Sequence, residues 1–80
     1  MARIRSFSQS SQDVRRHPTT VDCEYAVVGI GPDRLLHLST FGSDARQSER
    51  KSSQSLQMDL ARARELVEII VEAFPEIRHP

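Results

Sequence analysis

Apolar and polar positions alternate with period two through much of the chain and give way to a helical period near residue 60. In VDCEYAVVG, residues 21–29, Val21, Cys23, Tyr25 and Val27 alternate with Asp22, Glu24 and Ala26. That spacing, with β-branched and aromatic residues, predicts a half-buried strand. GIGPDR follows and supplies Gly29, Gly31, Pro32 and Asp33, which is turn chemistry. LLHLSTF, residues 35–41, returns as the second arm of a hairpin. Leu36 and Leu38 then face the core, and His37, Ser39 and Phe41 the other side. SSQSLQMD, residues 52–59, reads as a further strand, with Leu56 and Met58 inward and Ser55 and Gln57 outward. A short first strand is expected within RIRSF, residues 3–7, where charged and apolar residues alternate.

From Asp59 to Phe74 the period changes. Leu60, Ala63, Leu66, Val67, Ile70 and Phe74 recur at helical spacing, with Asp59 as N-cap and Pro75 as terminator. Ile69, Val71 and Ala73 widen the apolar stripe beyond what one sheet face needs. Arg64 and Glu68 form an i,i+4 pair. Strands followed by one helix predict an α+β fold: a small antiparallel β-meander of three to four strands, with one C-terminal amphipathic helix packed on one face. Residues 1–20 read as a basic polar arm, 21–75 as the sheet-plus-helix domain and 76–80 as a tail. No internal repeat is present.

Eighty residues allow one domain, and a chain of this size buries a modest fraction of its surface. Cys23 is the single cysteine, so an intrachain disulfide does not stabilise it, and a reducing, cytoplasmic setting is expected. No stretch approaches the roughly 20 apolar residues of a membrane span, and the basic opening lacks the apolar run of a signal peptide. A partner subunit is the remaining aid to stability, so a homodimer is expected, with Leu66, Ile69, Val71 and Phe74 of the over-wide stripe at its interface.

Eleven basic and eleven acidic residues cancel, but unevenly. Residues 1–51 hold an excess of two positive charges, and residues 52–80 the matching negative excess. His17, Cys23, His37 and His79 lie at no metal-ligand spacing, so no metal or cofactor is expected. Cys23 reads as a small buried hydrophobe. No serine sits in a GxSxG turn, and Pro32 removes a backbone donor that a phosphate cradle would use. Asp22 and Glu24 have nothing beside them in sequence to desolvate a catalytic pair. The chain therefore does not read as an enzyme.

Nucleic acid is the better-supported ligand. The stretch FGSDARQSERKSSQSLQMD, residues 41–59, holds two Arg, one Lys, five Ser and three Gln. Its Arg46, Arg50 and Lys51 would neutralise phosphates, and Arg3, Arg5, Arg15 and Arg16 of the arm add unspecific attraction. Phe41 would stack on a base, while Ser39, Ser55 and Gln57 supply hydrogen bonds.

The segment LLHLSTFGSDARQSERKSSQSLQMDLARARELVEII, residues 35–70, resembles the single-stranded-DNA-binding domain of the transcriptional coactivator family called positive cofactor four. In that family a strand ending in polar and aromatic residues leads into a basic loop. A strand of the type K-x-x-S-L then runs directly into an amphipathic helix. KSSQSLQMD stands for that strand here, and Arg46, Arg50 and Lys51 match the loop's basic residues in kind. The resemblance implies a curved four-stranded meander with a helix, dimerisation largely through the helix, and single-stranded DNA held in the grooves of the sheet. This chain departs from the family in carrying fewer Lys and aromatics on residues 21–29, and in the long polar connection after its first strand. SQSLQMD followed by LARARELVEII also fits the opening of a ribbon-helix-helix repressor, but that fold needs a second helix, and Pro75 closes the only one here.

The expectation is thus a small nucleic-acid-binding protein favouring single-stranded DNA, a transcription or DNA-metabolism accessory factor. The alternative is a protein-binding adaptor or inhibitor that docks through a strand edge or the helix.

Overall fold

The computed structural model describes residues 1–42 and 52–78. Four strands and one helix make up its regular structure: β1 (Ala2–Arg3), β2 (Cys23–Val28), β3 (Leu35–Phe41), β4 (Ser52–Met58) and α1 (Leu60–Ala73). The sheet order is β1-β4-β3-β2. The fold is α+β, with one C-terminal helix after the strands. β2, β3 and β4 form the expected antiparallel meander, whereas β1 adds to β4 in parallel and makes the sheet mixed. The physical reason lies in the connection. The stretch between Arg3 and Cys23 carries the chain from β1 at one edge of the sheet to β2 at the other, so β1 and β4 are not joined by a tight turn and can run parallel.

The turn between β2 and β3 depends on two glycines. Gly29 and Gly31 have φ of 85° and 77°, a region that residues with a Cβ rarely adopt. Pro32 then starts a short 3-10 turn, Gly31–Asp33, which Arg34 closes by donating its backbone N–H to the Gly31 carbonyl at 3.2 Å. At the far end of β3 the pairing slips. Thr40 stands opposite Gln54 but Phe41 stands opposite Ser52, so Ser53 is the extra residue of a bulge. Its hydroxyl lies 3.2 Å from that of Thr40.

Helix α1 begins where the sequence places it. Asp59 is the N-cap, and its side chain accepts the Arg62 backbone N–H at 2.8 Å. Phe74 caps the C-terminus by donating its N–H to Ile70 O, and Pro75 opens a 3-10 turn, Pro75–Ile77. Glu68 is paired differently from the i,i+4 expectation: it lies 3.7 Å from Arg78, which the terminal turn brings back toward the helix. Arg62 makes a further ion pair on the helix, at 2.9 Å from Glu65.

Cross-strand register sorts the sheet into two faces. Val27–Leu36–Met58 and Tyr25–Leu38–Leu56 are rows on one face. Among the described residues Met58 is the fully buried side chain, at 2 % exposure. The helix meets the sheet chiefly along β4, where Leu60 and Ala63 share a depression with Val27, Leu36 and Met58. On β2 the apolar face is open even beside that contact: Tyr25 is 79 % exposed and Val27 63 %. Cys23, expected to be buried, is exposed for the same reason: it opens β2, the edge strand farthest from β4.

The exposed area is large for the mass. A monomer of 9.1 kDa presents about 4,900 Å² by the usual scaling, and this chain presents 7582 Å². Some of the excess is the arm, where every residue from 8 to 20 is exposed.

Candidate nucleic-acid interface

The second face of the sheet is polar. Its central row crosses all four strands: Ala26 on β2, His37 on β3, Gln57 on β4 and Arg3 on β1. The next row is Glu24, Ser39 and Ser55. Period two puts these residues together, because one face of each strand collects every other residue. Gln57 Nε2 and His37 Nδ1 are 2.9 Å apart, so the two middle strands are joined by side chains as well as backbone. An amide nitrogen only donates. In this arrangement Nδ1 therefore accepts.

Expected contact residues fall into three groups. Gln57, Ser55, Phe41 and Arg3 are brought onto or beside this face; Gln57, Ser55 and Phe41 are half-buried and Arg3 is exposed. Ser39 is there too, but at 9 % exposure its hydroxyl offers little to a ligand. Arg5 lies just past β1, with its carbonyl bound by Arg62 of the helix at 2.7 Å and its own side chain exposed. Arg15 and Arg16 lie on the exposed arm, outside the strands; Arg15 sits 3.9 Å from Asp13. Arg46, Arg50 and Lys51 lie outside the described residues.

Two features of this face were not among the expected contacts. His37 was assigned to the open side but to no role, and its partnership with Gln57 follows from register, which one strand's pattern does not contain. Glu24 places a negative charge beside Ser39.

Of the four residues expected at a dimer interface, Ile69 and Phe74 are exposed while Leu66 and Val71 are half-buried. Leu60, Val67 and Ile70 are exposed as well, and with Phe74 they form one continuous helix face at spacings of seven, three and four. Ile69 lies toward another flank, where it and Ala73 border Phe7 of the N-terminal segment.

Among the described residues no group of three or more His, Cys, Asp or Glu could hold a metal ion, and no helix is long and apolar enough to cross a membrane. Comparison with family models, curated proteins and solved structures finds no match for this chain.

Proposed function

We propose that the protein binds single-stranded nucleic acid across the polar face of its sheet and works as a homodimer. One observation carries the binding reading: four strands place Arg3, Gln57 and His37 in one row on a face that is separate from the apolar core face. A strand lying over this row meets a guanidinium at one edge, amide and imidazole groups in the middle, and Phe41 at the end of β3. Arg46, Arg50 and Lys51, which precede β4 in sequence, add phosphate contacts, and Arg5, Arg15 and Arg16 add long-range attraction. A role as an accessory factor in transcription or DNA metabolism, in the cytoplasm, accords with a free and exposed thiol at Cys23, since thiols persist in reducing compartments.

The homodimer rests on two unpartnered apolar surfaces of one chain. The sheet exposes Tyr25 and Val27, and the helix exposes Leu60, Val67, Ile70 and Phe74. In a two-fold pair each helix covers the other's open surface, and both are satisfied at once. The same surfaces support a second reading, a protein-binding adaptor that buries them against a different chain.

Fluorescence anisotropy with a labelled single-stranded oligonucleotide, at about 50 and 200 mM salt, tests the first reading. Micromolar or tighter binding that weakens steeply with salt, and is lost in the Arg46→Ala, Arg50→Ala, Lys51→Ala triple variant, supports it. No binding at the lower salt overturns it and leaves the adaptor.

A further inference from the structure

We infer that His37 makes strand binding proton-linked, so that the row Arg3–Gln57–His37 gains a second positive charge, and a tighter hold on phosphodiesters, as pH falls. The inference rests on the binding reading above and concerns the regulation of that same face.

The argument begins with Gln57. Its amide nitrogen is 2.9 Å from His37 Nδ1, and both residues are half-buried at the middle of the sheet. When an imidazole is protonated both its nitrogens become donors, so a partner that can only donate would be lost. A carboxamide is not such a partner. Turned over about its last bond, Gln57 presents Oε1 where Nε2 had been, and the pair survives with its direction reversed. His37 thus takes up a proton without losing the contact that holds its ring. A leucine at position 57 would offer neither state a partner.

The surroundings determine what the new charge does. Arg3 lies two strands away in the same row, about 10 Å at ordinary strand spacing. Glu24 lies one row off on β2. Asp33, Asp59 and Arg64 border the depression that Arg3 and Leu35 line at the edge of this face. Protonated His37 therefore stands between Glu24 on one side and Arg3 on the other and offsets Glu24, while Asp22, whose carbonyl accepts the Phe41 N–H at 3.2 Å, shares the face of Glu24 just before β2. Between about pH 8 and pH 5.5 imidazoles and α-amino groups change charge and carboxylates as a class do not, so the His37→Gln comparison separates the imidazole from the amino group of Met1, two residues before Arg3. Linkage then runs both ways: proton uptake tightens strand binding, and a bound strand raises the proton affinity of His37 by the same factor.

The test is anisotropy with labelled oligothymidylate, whose bases do not titrate in this window, at pH 8 and pH 5.5 and at two salt concentrations. The wild-type chain is expected to bind about fivefold tighter or more at pH 5.5, with a salt dependence steeper by about 0.7 in log–log slope. His37→Gln removes the response, and His17→Gln, on the arm, retains it. Equal pH responses in wild type and His37→Gln overturn the inference while leaving strand binding intact. Absence of binding at either pH in low salt overturns the binding reading and this inference together. Should His37→Gln fail to fold by circular dichroism, the wild-type chain still decides the matter. The NMR titration midpoint of the His37 ring moves up when oligothymidylate is added, and a midpoint that stays in place overturns the inference.

Discussion

The Arg62 guanidinium donates a hydrogen bond to the Arg5 carbonyl oxygen at 2.7 Å, across 57 residues of sequence. It fastens the N-terminal segment to the helix just beyond the point where Ile4 donates its N–H to Gln57 O at 2.8 Å. β1 is two residues long, so its pairing with β4 depends on such outside help. Arg62→Ala is expected to cost about 1–2 kcal/mol, since the bond is charge-assisted but not fully shielded from water. Amide hydrogen exchange at Ile4 should speed up well before exchange at Leu36 or Leu38 does. Equal acceleration throughout the sheet would mean that Arg62 acts on the whole fold instead.

Met58 is the fully buried side chain, opposite Leu36 in the register. Truncating it leaves a void where helix and sheet meet. Met58→Ala should lower stability by about 2–4 kcal/mol, a large part of what a domain of this size has to lose. Urea denaturation measures the loss. An effect below about 1 kcal/mol would show that the Met58 environment collapses around the change.

Asp59 joins β4 to α1 and satisfies the orphan N–H of Arg62. Asp59→Ala should cost about 1 kcal/mol, and Asp59→Asn much less, because an amide oxygen accepts the same bond. Thermal unfolding followed by circular dichroism separates the two variants. Equal losses in both would assign the effect to the carboxylate charge at the helix N-terminus.

Val67 and Phe74 lie on one face of α1 and are exposed in the single chain. If a second copy covers them, Val67→Asp or Phe74→Asp buries a charge at the contact and shifts the protein to monomer. Sedimentation velocity at micromolar concentration should show a dimer for the wild-type chain and a monomer for either variant. The wild-type melting temperature should also rise with protein concentration. A wild-type monomer with a concentration-independent melting temperature would remove the homodimer and direct attention to a different partner.

Much of this architecture is legible before any coordinates are seen. The alternation at residues 21–28 and 35–41, the two glycines and Pro32 between them, and the Asp59 and Pro75 boundaries are local signals, and local energetics place β2, β3 and α1 accordingly. β1 is different. Its parallel pairing with β4 depends on where a long polar connection returns, and no residue within 1–20 encodes that destination. Burial is different again. Cys23 and Val27 have the pattern of inward residues and are exposed, because pattern specifies a face while tertiary packing determines how far a single short helix covers it.

The candidate site divides along the same line. Strand period alone assigns His37, Ser39, Ser55 and Gln57 to one face, since successive side chains must point to opposite sides of a pleated backbone. Which of them are neighbours is a matter of register, and register is a property of two strands at once. The sequence by itself determined β2, β3 and β4, the turn, the helix and the polarity of each face, because these follow from spacing and from the conformational limits of single residues, whereas the first strand, expected within residues 3–7, is Ala2–Arg3. Only the tertiary structure decided that Arg3, Gln57 and His37 share a row, that Ser39 is enclosed, and that the helix leaves Tyr25 and Val27 uncovered. Those outcomes depend on contacts between segments far apart in the chain, whose free energy appears only when the segments meet.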